Sequence, residues 1–84
     1  NQDQLIKKIN RLIKEDYMKY YDASEDCFDP PEYMVFKMDD LEIGFSEEGI
    51  HFFADWGFPN ACRAVNYGTT IPFNFHEIEP YLKN

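Results

Sequence analysis

Two cysteines and two histidines are all that this chain of 84 residues offers for thiol, imidazole or soft-metal chemistry. Cys27 and Cys62 fit no CxxC or zinc-ligand spacing. No activating motif surrounds either thiol, and His51 and His76 complete no nucleophile–base–orienter set. No catalytic residue, metal site or cofactor is therefore expected. Also lacking is any apolar run of the roughly eighteen residues that a membrane-spanning helix needs, and no segment reads as a signal peptide. Basic residues are scarce beyond the first helix. Five of the eight (Lys7, Lys8, Arg11, Lys14 and Lys19) precede residue 20, and the formal net charge is -8. Such a surface repels phosphate backbones, which argues against nucleic-acid binding by counterion release and favours a basic partner.

What the chain has in quantity is rings. Apolar residues make up 44% of the sequence and aromatic ones 18%, so large side chains can supply the burial that a short chain otherwise lacks. Residues 1–84 are read as one small domain. The chain begins at Asn1 and not at Met, in keeping with a mature product or a piece excised from a longer protein. Cys27 and Cys62, 35 positions apart, allow one intramolecular disulfide, worth about 3–4 kcal/mol in the chain-entropy account. The other reading is two buried thiols acting as small hydrophobes.

Leu5, Ile6, Ile9, Leu12, Ile13, Tyr17 and Tyr20 recur at helical spacing behind Asp3, which is read as the N-cap. The opposite face carries the lysines, so the helix is expected to lay its apolar stripe on a sheet. The run Asp22 to Glu32 contains acidic residues and two adjacent prolines and is a loop. Asp22, Ser24 and Asp26 imitate the first alternating ligands of a calcium loop. The required glycine is missing, and Tyr33 stands where the closing carboxylate belongs, so calcium is not expected.

Tyr33 to Met38 and Leu41 to Ser46 are strand candidates. In the second, Leu41, Ile43 and Phe45 alternate with polar or small residues, which marks them as its buried face. Ser46-Glu47-Glu48-Gly49 reads as a hairpin turn with Gly49 in the left-handed conformation, leading into the strand Ile50 to Asp55. A return strand is expected near Cys62 to Tyr67, followed by an extended piece through Ile71. Asn74 and Glu77 have capping-box spacing at the start of a short helix, with Phe73 stapled to Ile78. The resulting expectation is an α+β fold: an N-terminal amphipathic helix on a meander of three or four antiparallel strands, closed by a short C-terminal helix.

Three stretches carry a likeness to a known family. They are Phe45-Ser46-Glu47-Glu48-Gly49-Ile50-His51-Phe52-Phe53, Thr70-Ile71-Pro72-Phe73 and Glu77-Ile78-Glu79-Pro80-Tyr81-Leu82. Together they resemble the domain of unknown function shared by the extracellular part of lysozyme-sensing anti-sigma factors and an extension of secreted peptidoglycan deacetylases. The likeness covers the second half well and the first helix by position alone. It departs after Asp55, where the family often shows an apolar residue and Pro-Tyr ahead of a Gly and this chain has Trp56-Gly57-Phe58-Pro59.

The resemblance implies a non-enzymatic binding domain, periplasmic or at the cell surface, whose partner is a basic protein such as a lysozyme or cell-wall material. Tyr33, Trp56, Phe58 and Tyr67 are the candidate exposed contact rings, with Glu47, Glu48 and Asp55 as an acidic rim. For each, the competing reading is core packing or a solvated turn charge. The competing function is a cytoplasmic acidic inhibitor, either a toxin immunity protein or a nucleic-acid mimic. A cytoplasmic protein would keep both thiols reduced.

Overall fold

The computed structural model describes residues 2–59, 62 and 67–82. Its first helix, α1 (Gln2–Tyr20), buries Leu5, Ile9, Ile13 and Tyr17, a four-residue repeat that forms one continuous stripe. The helix already includes Gln2, so Asp3 lies inside the first turn. It is not the cap, and its charge instead faces the positive end of the helix dipole. After Tyr20 the chain turns at Asp22, whose carboxylate accepts hydrogen bonds from the Ser24 hydroxyl (2.7 Å) and backbone N–H (2.9 Å). These bonds, the hydroxyl's first, hold the Asp22 carboxyl below its ordinary value. The would-be calcium ligand is spent on a local turn.

Where the sequence suggests a strand from Tyr33 to Met38, the structure has 3₁₀ turns at Pro31–Tyr33 and Met38–Asp40 with an irregular link between them. The link keeps the period of two expected of a strand: Met34 is buried, Val35 is 72% exposed and Phe36 is partly buried. Its backbone partner, however, is a helix side chain. Asn10 Nδ2 donates to the Phe36 carbonyl at 2.9 Å, and Asn10 Oδ1 accepts the Phe36 N–H at 2.7 Å. One amide thus does for Phe36 what a neighbouring strand would do.

Among the described residues three strands follow: β1 (Glu42–Phe45), β2 (Gly49–Asp55) and β3 (Gly68–Asn74), all antiparallel in the order β1-β2-β3. Of the expected return strand, Cys62 and Tyr67 are described, and the pairing strand begins only at Gly68. Residues 63–66 lie outside the described residues. The register sets Ile43 opposite Phe52, Phe45 opposite Ile50, and Phe52 opposite Ile71. The face they share looks toward the helices. Pro72 pairs with His51. Having no N–H, Pro72 must occupy a non-hydrogen-bonded pair, so its nitrogen faces the outer edge of β3.

Gly49 has no positive φ, which corrects the left-handed turn residue expected there; the glycine with positive φ is Gly57, at 80°. Gly49 is required for space, because a Cβ at this position would collide with the Phe73 carbonyl. The second helix, α2 (Phe75–Leu82), starts on the expected capping box. Asn74 N–H donates to Glu77 Oε1 (2.9 Å), and Glu77 N–H donates to Asn74 Oδ1 (2.8 Å). Phe73 and Ile78 are both buried behind it. α1 lies over β3, and α2 spans β3 and β2.

Candidate binding surface

The residues expected to make contacts divide between interior and surface. Trp56 is 3% exposed and Phe58 7%, so neither is a contact ring. They pack in an aromatic cluster with Tyr17 and Phe28: Tyr17 and Trp56 meet edge-on at 5.1 Å, as do Phe28 and Phe58. The physical reason is the chain direction after β2. The Trp56 N–H bonds to the Tyr67 carbonyl at 2.8 Å, which turns the indole under the C-terminal half of α1. There Trp56 Nε1–H donates to Thr69 Oγ1 (3.0 Å), and the Thr69 hydroxyl donates on to Asp16 Oδ2 (2.8 Å). Asp16, on the helix, thereby satisfies the Thr69 hydroxyl, which in turn satisfies the indole N–H.

The same cluster holds Tyr17, whose hydroxyl donates to the Asp29 carbonyl at 2.7 Å. Burial raises the Tyr17 pKa above 10.0, and the nearby Asp29 charge adds to the effect. Cys27 and Cys62 are joined, with their Cα atoms 6.1 Å apart, within the ordinary span of a disulfide. Both sulfurs are thereby unavailable as nucleophiles. Among the described residues no group of three or more His, Cys, Asp or Glu is placed to hold a metal ion.

Tyr33 and Tyr67 do reach the surface, but from different places. Tyr33 is 67% exposed on its 3₁₀ turn. Tyr67 leans edge-on against Phe53 at 6.1 Å, on the sheet face away from the helices. The acidic rim is also divided. Glu47 and Glu48 are exposed in the β1–β2 turn, whereas exposed Asp55 closes the far end of β2, about 20 Å away at strand rise. Its carboxylate accepts the Gly57 N–H at 2.8 Å.

A different surface emerges from residues read as core. Ile43 is 50% exposed and Phe45 75%, although both point to the helix-covered side of the sheet. Their pattern is that of a buried face, but the helices cover β3 and β2 and leave β1 open. On α2, Ile78 points into the core and Tyr81 lies toward α1, where Lys8 Nζ sits 5.8 Å from its ring. At about 100° per residue, Phe75 and Leu82 share the flank of α2 opposite Tyr81 and nearest β1. Both are more than half exposed. Ile50, the cross-strand partner of Phe45, is partly buried. Alternation alone could not reveal this, because it identifies a strand's apolar face without saying whether anything covers it.

Charge is segregated around this surface. Between Lys37 and Arg63 there is no Lys or Arg, while Asp39, Asp40, Glu42, Glu47, Glu48 and Asp55 all fall in that interval and are exposed. The positive side chains Lys7, Arg11 and Lys14 face solvent on α1. Compared with known proteins, the chain matches no family model, no curated protein and no solved structure.

Proposed function

We propose that this chain is a non-enzymatic binding domain of the bacterial envelope, periplasmic or at the cell surface, that recognises a basic protein such as a lysozyme, or cell-wall material. The observation that carries the reading is the acidic β1–β2 half of the molecule, with its apolar side chains left uncovered by the helices. A carboxylate-rich surface steers a cationic partner into encounter, and exposed apolar side chains supply the burial that holds it. The joined Cys27–Cys62 pair fits an oxidising compartment.

Two measurements test the two halves of this proposal. Titration of the chain with lysozyme and with peptidoglycan should show saturable binding to at least one, weakening as salt is raised through about 0.15 M. Binding that ignores salt would remove the electrostatic argument. Intact mass before and after reduction and alkylation, on protein made from its native gene, should show thiols that label only after reduction. Two free thiols would instead move the protein to the cytoplasm and favour the acidic inhibitor.

A further inference from the structure

The binding reading above leaves open which part of the surface makes the contact, and the strand register answers that. Because Pro72 occupies a non-hydrogen-bonded pair with His51, the neighbouring residues Ile50 and Phe52 direct their backbone N–H and C=O groups toward β3. Their cross-strand partners on the other side, Phe45 and Ile43, must then direct theirs away from β2, out of the sheet. Among the described residues β1 is the outer strand, so these groups form an open edge beside the exposed Ile43 and Phe45 side chains.

We propose that β1 is a strand-addition site for an extended segment of another protein, one with apolar residues at alternate positions and Lys or Arg between them. The proposal rests on the binding-domain reading above. Backbone pairing at Ile43 and Phe45 supplies register, as in other strand additions. The partner's apolar side chains fall on the helix side and extend the sheet's cover between Ile43, Phe45 and the Phe75–Leu82 flank of α2. Its intervening residues fall on the opposite face, beside Glu42, where a basic side chain is favoured. A second copy of this chain is the wrong occupant. Pairing β1 with β1 would bring two sets of the same carboxylates together, with no Lys or Arg between residues 37 and 63 to offset them.

The probe is a synthetic Lys-Val-Lys-Val-Lys-Val-Lys peptide, added to the intact chain and followed by amide hydrogen exchange and chemical shift. The Ile43 and Phe45 amides are expected to gain protection. A peptide N-methylated along its pairing edge should bind about tenfold more weakly or worse, the fold-change of two lost backbone hydrogen bonds. An alternating Glu-Val peptide should not bind. Phe45→Pro removes an edge donor without touching the β1–β2 ladder and should abolish protection, while Phe45→Val retains it. Equal binding of the N-methylated peptide, protection at other amides, or burial of β1 in a dimer of this chain each overturns the proposal. Should lysozyme bind Phe45→Pro and the parent chain equally, the binding-domain reading stands and the strand-addition site alone falls.

Discussion

Gly49 and Gly57 are constrained by different physics, and alanine separates the two. At Gly49 a methyl group meets the carbonyl of Phe73, a backbone atom held by the β2–β3 ladder, so the sheet itself must shift. Gly49→Ala is expected to lose about 2 kcal/mol or more in urea unfolding. At Gly57 a methyl group meets nothing within 4 Å, and the cost is the φ of 80° alone, roughly 1–2 kcal/mol for Gly57→Ala. Equal losses at the two positions would contradict this assignment. Tyr17 carries a pH dependence whose sign follows from its raised pKa. The folded state keeps the phenol proton after the unfolded state has begun to lose it. The stabilisation is therefore full below pH 10.0 and is lost as pH rises from there through the folded-state value. Tyr17→Phe should flatten the fall of melting temperature in that alkaline range, and near-ultraviolet absorbance should show one tyrosine ionising last.

Among the elements, the link at residues 34–37 takes both backbone hydrogen bonds of Phe36 from a single side chain. Asn10 supplies both of the hydrogen bonds that fix Phe36, so Asn10→Ala strands a donor and an acceptor of a partly buried backbone. A loss of about 2 kcal/mol is expected, with faster exchange at the Phe36 amide. Asn10→Asp keeps the acceptor and should recover the amide's protection in part. The same link shows what was legible beforehand. Its alternation was readable, as were the stripe on α1, the hairpin and the Asn74–Glu77 cap, because each depends on neighbours within a few positions. Its partner was not readable, since nothing local ties residue 10 to residue 36. The same limit explains the misplaced contact rings. Trp56 and Phe58 sit among turn residues, where exposure is the ordinary expectation, and only the distant Tyr17 and Thr69 account for their burial. Ile43 and Phe45 are the converse case, an apolar face read correctly but left uncovered by the particular positions of two helices.

For the whole molecule, the net charge of -8 and its separation into a basic helix face and an acidic sheet half set two opposite responses to salt. Carboxylates crowded around β1 repel one another, and the Lys19–Asp16 pair, 3.9 Å apart on the helix with its lysine exposed, offsets little of that. Screening should therefore raise the melting temperature between low salt and about 0.15 M, over the same interval in which the affinity proposed above for a cationic partner should fall. A chain whose stability and affinity fell together would not be organised around self-repulsion. The Pro72 nitrogen on the far edge of the sheet has a further consequence. A polymer built by edge addition needs two competent ends on every monomer, and here one end lacks a donor where the next strand would bond. Addition at β1 is therefore a terminating step: it yields a closed pair of fixed stoichiometry and gives a growing fibril no second end from which to extend.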